Sequence, residues 1–186
     1  YSKTLNILSE DYFYKSLGME NMGYLPLDRI NKDRIVPTEQ DYVYRSQLIH
    51  GTVHDQGAAM LGGVGGHAGV FSNANDLAKL MQMYLNNGEY AGERYLSTST
   101  LKEFTKCQFP ENRNRRGAGF DKAALANQKG GPASKNASPA GFGHSGFTGT
   151  IAWADPKTKI VYVFLSNSIH PDASNKKLLN MDVRTE

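Results

Sequence analysis

The sequence predicts an α+β domain in which an antiparallel sheet is flanked by helices. Residues 150–154 and 160–165 both have strand character. Asp155-Pro156 between them favours a turn, because proline restricts φ and the aspartate side chain bonds nearby backbone. The second strand reads IVYVFL without polar alternation, which predicts a central strand buried on both faces.

Apolar residues at helical spacing predict the flanking helices. The first covers residues 4–16 and ends at Gly18, and another begins at Ser72 or Asn73 and runs through Asn86. Before α-helical residues 72–86, the sequence predicts a long connection at 19–49 and a glycine-rich segment at 57–69 that is not a regular helix. After them it predicts a helix from 97–100 to Lys106 and a loop at 107–140 with an edge strand at 117–120. The chain is then expected to form a turn at 166–171 and a last helix that begins within 173–181.

Composition and charge exclude several function classes. The 186 residues are 39% hydrophobic and 21% charged, as in ordinary globular domains, and the small net charge of +3 does not favour nucleic acid. The densest basic spot, Arg113, Arg115 and Arg116, is interpreted as a solvated loop rather than a phosphate site. Cys107 is the single cysteine, which excludes an internal disulfide, and neither a membrane-spanning run nor a signal peptide is visible. The start at Tyr1, without methionine, suggests a piece of a longer polypeptide.

The most informative stretch is FGHSGFTGT at 142–150, directly before the first strand of the hairpin. Its three glycines remove the Cβ where another backbone or a ligand must come close. His144 and Ser145 between them are polar groups on an accessible strand, available to a molecule that lies against it. The same pattern also fits a glycine-rich turn before a hairpin, so both interpretations remain open on pattern alone.

Three histidines and an aspartate near the glycine-rich segment raise the question of a metal site: His50, His54, Asp55 and His67. Residues 51–53 disfavour the helix that would bring His50 and His54 together, and on a strand the two would lie about 13 Å apart. We therefore predict no metal site. Instead, His54, Asp55 and His67 are expected to hydrogen-bond the glycine-rich backbone and hold its shape.

Four segments carry a family resemblance: FYKSLGMENM at 13–22, the block at 50–88, GHSGFTGTIAWADP at 143–156 and FLSNSIHP at 164–171. In this order and spacing, over nearly the whole chain, they resemble the C-terminal part of the β-lactamase-related serine hydrolases. That superfamily includes class C β-lactamases, DD-peptidases and related esterases. The resemblance implies a β-lactamase/transpeptidase-like fold, in which strands from the N-terminal part complete the sheet.

The family has a Lys/His-Thr/Ser-Gly motif on a strand, present here as His144-Ser145-Gly146. The resemblance implies that His144 and Ser145 contact the substrate carboxylate or carbonyl. It also implies that the backbone N–H of Phe147 is one oxyanion-hole donor, worth about 2.7–4 kcal/mol of transition-state stabilisation. An extended substrate would pair with the strand edge. Histidine in place of lysine resembles the peptidase and esterase branches more than the true β-lactamases.

The family's other motifs, Ser-x-x-Lys and Tyr-x-Asn, have only chance matches. Ser99 to Lys102 and Tyr84 to Asn86 stand in reversed order relative to the family, so Ser99 is interpreted as a helix-start residue and Asn86 as a helix-end residue. Tyr1-Ser2-Lys3 also fails, because it lies too close to Phe13 and has lysine where Asn or Asp is needed. Residues 1–186 are therefore expected to be the C-terminal portion of one domain, inactive alone, with the nucleophile upstream.

Three functions are compared. The leading one is the substrate wall of a serine hydrolase that cleaves peptide, amide or ester bonds through an acyl-enzyme. The alternative is a non-catalytic substrate- or peptidoglycan-binding module, and a zinc hydrolase using His50, His54 and His67 is the third. The resemblance implies small-molecule or peptide-like substrates, no cofactor, a periplasmic or exported parent and, in some relatives, an upstream glycoside hydrolase family 3 domain. An uncovered apolar face of the incomplete domain is expected to favour self-association.

Overall fold

The computed structural model describes residues 2–125 and 130–185 of the chain. Tyr1 of the Tyr1-Ser2-Lys3 triplet and residues 126–129 of the predicted long loop lie outside the described residues. The chain divides into two compact units, Tyr1–Asp76 with Ser166–Lys177 and Leu77–Leu165 with Leu178–Glu186. No helix within the described residues is long and apolar enough to cross a membrane.

The first unit begins with the helix predicted over residues 4–16. It consists of α1 (Leu5–Ser9) followed directly by a π-helical turn, Glu10–Tyr14. The chain then turns at Gly18, whose φ of 63° lies in the left-handed region that glycine adopts without strain. The prediction of a helix stopped by this glycine is confirmed.

The predicted connection at 19–49 contains more structure than expected. It holds two short 3₁₀ turns, Pro26–Asp28 and Lys32–Arg34, and an antiparallel pair formed by β1 (Glu39–Asp41) and β2 (Gln47–Ile49). Each strand has three residues, which is too short for a period to appear in the sequence. The turn between them is closed by a side chain, because the Asp41 carboxylate accepts the backbone N–H groups of Val43, Tyr44 and Arg45.

Two helices follow in the glycine-rich region and after it. The first is α2 (Gln56–Met60), so the prediction that residues 57–69 contain no regular helix is wrong over residues 57–60. The second is α3 (Ala74–Leu85), where the Asn73 side chain accepts the N–H of Asp76 at 2.8 Å and the chain leaves the helix through Gly88 at a φ of 91°. The predicted cap and extent of α3 are confirmed.

The second unit continues with a small hairpin and one more helix. The hairpin pairs β3 (Glu89–Tyr90) with β4 (Glu93–Arg94). Helix α4 (Thr98–Thr105) follows, with the Ser97 side chain accepting the N–H of Thr100, so the helix predicted to start at 97–100 is confirmed.

The main sheet has four antiparallel strands in the order β5-β6-β7-β8. They are β5 (Asp121–Lys122), β6 (Phe142–Ser145), β7 (Ile151–Asp155) and β8 (Ile160–Phe164). The predicted hairpin is β7–β8, and Asp155 accepts the N–H of Lys157 in its turn as expected. The edge strand was predicted at residues 117–120, but it is β5, which begins directly after that range.

The prediction that β8 is a central strand buried on both faces is wrong for this chain. Within the described residues β8 is the last strand of the sheet, and Ile160 and Tyr162 are 57% and 38% exposed. An apolar run shows that a strand needs covering, but it does not show whether the covering segment belongs to the same stretch of sequence.

The sheet is held to α3 by a small apolar core. Met81 of α3 packs with Phe142 of β6 and Ala154 of β7, all of them buried. The Phe120 ring meets the rings of Phe142 and Tyr84 edge to face, with centroids 5.2 and 5.4 Å apart. The last helix is α5 (Lys177–Asn180), which begins within 173–181 as predicted. A helix packed on an antiparallel sheet confirms the α+β prediction.

Candidate active-site strand

Strand β6 is set into the sheet by a close backbone approach at Gly143. A Cβ on this residue would meet the Ala152 carbonyl oxygen and the Trp153 Cα of β7, so only glycine fits. The register places His144 opposite Ala152 and Ser145 opposite Ile151. The His144 side chain is exposed and Ser145 is half-buried. The predicted polar strand is therefore present and open to an approaching molecule.

A tight turn follows the strand and carries Phe147. The Gly146 N–H donates to the Thr150 carbonyl at 2.8 Å, and the Gly149 N–H donates to the Gly146 carbonyl at 3.1 Å. Gly149 has a φ of 103°, a backbone conformation that glycine allows. Phe147 lies at the tip with 71% of its surface exposed. Both sequence interpretations of this segment hold, since it is a glycine-rich turn and also an accessible strand.

The hydrogen bonds of His144 select one tautomer of its ring. Arg116 Nη1 lies 2.9 Å from His144 Nε2, and His144 Nδ1 lies 2.7 Å from the Ser145 carbonyl oxygen. Because a guanidinium only donates, Nε2 must accept, and because a carbonyl only accepts, Nδ1 must carry the proton. The geometry therefore describes a neutral imidazole protonated at Nδ1.

Arg116 is itself held by a buried carboxylate. Asp121 of β5 has a side chain only 4% exposed, and its oxygens lie 2.7 Å from Arg115 Nε and 3.4 Å from Arg116 Nη2. The interpretation of Arg113, Arg115 and Arg116 as a solvated loop holds for the exposed Arg113 and Arg116 but not for Arg115, whose side chain is 26% exposed and pairs with the buried Asp121. Sequence reasoning missed the contact between Arg116 and His144, which are 28 residues apart.

The histidines near the glycine-rich segment form separate contacts in the first unit. His54 Nε2 lies 2.5 Å from Glu39 Oε2, and His50 Nε2 lies 2.5 Å from the Ile35 carbonyl oxygen. None of these contacts brings the histidines together. Among residues 2–125 and 130–185, no three His, Cys, Asp or Glu side chains gather closely enough to hold a metal ion.

Asp55 and His67 form a second contact in this region. The Asp55 carboxylate accepts the N–H of Ala58 at 2.8 Å, which caps α2, and lies 2.9 Å from His67 Nε2. These two hydrogen bonds, the backbone one first, lower the pKa of Asp55. The shape-holding role of His54, Asp55 and His67 stays a prediction, to which these contacts give a geometric basis.

The serine of the chance Ser-x-x-Lys match lies in a helix cap. Ser99 is in the first turn of α4, and its Oγ is 2.9 Å from the capping Ser97 Oγ. Asn86, from the other chance match, follows the end of α3 and accepts from the Gln82 side chain at 2.9 Å. Neither residue lies on β6 or in the turn after it.

A cavity of about 350 Å³ lies in the first unit and is lined by residues of that unit. Its wall is largely apolar and includes Leu25, Leu27 and Val53, with Asp28 and Arg45 as its charged residues. Arg45 is occupied by the Val53 carbonyl at 2.6 Å and by Asp41 at 3.2 Å. Because the guanidinium of Arg45 is already engaged, this cavity is a weaker candidate for chemistry than the β6 strand.

Comparison with known proteins adds a family match. A family model described as Beta-lactamase matches residues 3–183. The chain is 35% identical over 185 residues to an Escherichia coli O157:H7 protein named "Putative D-alanyl-D-alanine carboxypeptidase". It is 34% identical over 187 residues to a Salmonella typhi protein of the same name. These alignments cover 92% and 91% of this chain but only 42% and 41% of the relatives, so the chain spans less than half of their length.

Solved structures of low sequence identity share the fold. A penicillin-binding protein homolog from Caulobacter crescentus gives a TM-score of 0.56 at 20% identity, covering 89% of this chain and 47% of that one. A β-lactamase from Mycobacterium bovis gives a TM-score of 0.52 at 18% identity, covering 94% and 56%. At these identities the likeness concerns the fold alone.

Proposed function

Because this chain belongs to the beta-lactamase family, we propose that it forms the substrate-binding wall of a serine hydrolase that cleaves amide, peptide or ester bonds. The observation that carries the proposal is the exposed His144 beside Ser145 on β6, a strand fixed between β5 and β7. The names of the curated relatives support a peptide that ends in D-alanyl-D-alanine as the substrate.

The strand leaves room for an extended substrate along one edge. Strand β5 pairs only with Phe142 and Gly143, so within the described residues no strand lies beside His144 and Ser145 on that side. A peptide in β conformation would extend the ladder there, with its backbone hydrogen-bonding the edge of β6. The Ser145 hydroxyl would then lie within reach of the peptide's polar groups, as donor or acceptor.

The reaction proposed for the complete site is acyl transfer. A serine oxygen attacks the substrate carbonyl, the leaving amine or alcohol departs with a proton, and water later hydrolyses the acyl-enzyme. The N–H of Phe147, at the turn after β6, would donate to the oxyanion of the tetrahedral intermediate. One such donor contributes about 2.7–4 kcal/mol to lowering the barrier.

The nucleophile is proposed to lie outside this chain, upstream of Tyr1. Ser99, the serine of the Ser-x-x-Lys match at 99–102, is engaged in the cap of α4. Catalytic groups that act as a unit lose nearly all of their effect when one is missing. The chain alone is therefore proposed to bind substrate without turning it over.

The test is a hydrolysis assay on two polypeptides, this chain and the longest natural polypeptide that contains it. The substrates are an acylated D-alanyl-D-alanine peptide and a p-nitrophenyl ester. We expect turnover only by the longer polypeptide, reduced by Ser145→Ala and unaffected by Ser99→Ala. Turnover by this chain that Ser99→Ala abolishes would show that the nucleophile lies in α4.

A non-catalytic binding module is the second candidate. One observation favours it: the described chain presents an open strand, while Ser99 lies in the first turn of α4 with its hydroxyl against the capping Ser97. This candidate predicts saturable peptide binding by the longer polypeptide with no product released. Product formation by that polypeptide would exclude it.

A further inference from the structure

A cavity of about 540 Å³ lies in the second unit, and its lining residues differ from those proposed for hydrolysis. They come from the last turn of α3, from α4, from the start of β6 and from the turn between β7 and β8. His144, Ser145 and Phe147, all within the described part of the chain, do not line it. Cavities of a few hundred Å³ are the usual size of sites for small organic ligands. This cavity is therefore a candidate for a second binding site.

The charged residues of this cavity are both lysines. Lys102 on α4 and Lys159 in the β7–β8 turn line it, and no Asp or Glu does so within the described residues. Across residues 2–125 and 130–185, neither lysine has an ion-pair partner. The nearest acids along the chain are engaged elsewhere, since Glu103 pairs with Lys106 at 2.7 Å and Asp155 is buried. A concave surface lined by charges of one sign concentrates ligands of the opposite sign.

The polar groups at the end of α3 are already bonded to one another. The Gln82 carbonyl accepts the N–H of Asn86 at 2.9 Å, and the Tyr84 carbonyl accepts the N–H of Asn87 at 3.1 Å. The Gln82 side chain also donates to the Asn86 side chain at 2.9 Å. Because these acceptors of the cavity wall are in use, the two ammonium groups are available to an anion that enters from solvent.

The rest of the cavity wall is apolar and aromatic. Phe142 is 3% exposed, and Phe120 contacts the rings of both Phe142 and Tyr84 edge to face. Leu85 and Leu101 complete this wall. Rings held in this way offer a firm surface on which a ligand ring can pack. The cavity thus combines an apolar wall with positive charge, which fits a ligand that has an aromatic body and an anionic group.

We propose that this cavity is a second binding site, for a small aromatic molecule that carries a phosphate monoester. Such a phosphate has close to two negative charges at neutral pH and three acceptor oxygens. The ammonium groups of Lys102 and Lys159 would bind those oxygens by charge-assisted hydrogen bonds, while the ring packs on Tyr84 and Phe142. The proposal does not depend on the hydrolase, because it uses neither His144 nor Ser145.

The test is calorimetric titration of phenyl phosphate into the longest natural polypeptide that contains the chain, at constant ionic strength. Lys102→Gln and Lys159→Gln should each weaken binding about tenfold to 100-fold, the effect of losing a hydrogen bond to a charged group. Both side chains are exposed, so neither substitution should unfold the protein. The matched control is Lys106→Gln, which removes the same charge from the end of α4, where it pairs with Glu103, and should change the affinity less than about twofold.

Two further probes separate the contributions of the ring and the charge. Inorganic phosphate lacks the ring and should bind about tenfold more weakly or worse, the effect of losing a buried aromatic group. Phenol lacks the phosphate and should bind more weakly by a similar factor. The site is overturned if the unsubstituted protein does not bind phenyl phosphate, if inorganic phosphate binds equally well, or if Lys106→Gln weakens binding as much as Lys102→Gln.

Discussion

Replacing Phe142 with alanine should destabilise the sheet that carries the candidate site. Phe142 is 3% exposed and packs on Met81, Ala154 and Phe120 in the core between α3 and the sheet. Phe→Ala at such a position costs about 3–5 kcal/mol in free energy of unfolding. The edge-to-face contact with Phe120 accounts for about 0.5–1.5 kcal/mol of that loss.

The assay is urea unfolding of this chain followed by tryptophan fluorescence. Trp153, the single tryptophan, is 4% exposed and lies opposite Gly143 in the ladder, so its emission reports on this sheet. For a chain of this size the expected loss corresponds to a melting temperature about 6–20 °C lower.

The matched control truncates an exposed aromatic residue five positions away. Phe147→Ala should change the free energy of unfolding by less than about 0.5 kcal/mol, because 71% of that residue is already in solvent. Equal losses for the two variants, or an unchanged midpoint for Phe142→Ala, would refute the assignment of Phe142 to the core.

Three further predictions concern acid stability, one buried hydrogen bond and self-association. Backbone hydrogen bonds from Tyr44 and Val43 lower the pKa of Asp41 to about 2. The contribution of Asp41 to stability should therefore be complete above its unfolded pKa of about 3.9 and disappear as the pH falls towards 2. Asp41→Asn should abolish this pH dependence in urea midpoints measured between pH 5 and 2. Ser138→Ala removes a 2.6 Å hydrogen bond to the buried Asp155 and should lower the free energy of unfolding by about 1.5–3 kcal/mol, and an unchanged value would show that water replaces the hydroxyl. The exposed edge of β8 should make this chain associate with itself, so light scattering that shows a well-behaved monomer would contradict this expectation.

The elements predicted from local signals are those the structure reproduces best. The β7–β8 hairpin depends on an Asp-Pro turn and two apolar runs, and α3 on a cap, an apolar face and a terminal Gly88, all of which lie within a few residues of one another. The β1–β2 pair escaped prediction because three-residue strands show no period and their turn is closed by the Asp41 side chain.

The candidate site was predictable only in part, for a related reason. His144 and Ser145 are marked by the glycines around them, but the contact with Arg116 joins residues 28 positions apart through a loop without regular structure. The local signal for this contact is a pair of arginines close to Asp121, whose carboxylate is buried in β5 of the folded sheet while the arginines stay partly exposed. The burial predicted for β8 failed because a covering segment is not visible in the strand's own composition.

The central claim is that this chain supplies the binding wall while the nucleophile lies upstream of Tyr1. The most direct test is covalent labelling with a fluorescent β-lactam or a fluorophosphonate, followed by peptide mapping, on this chain and on the longest natural polypeptide that contains it. We predict that the longer polypeptide is labelled on a serine upstream of Tyr1 and that this chain remains unlabelled. Labelling of this chain at Ser99 would contradict the claim, and labelling of neither polypeptide would favour the binding module.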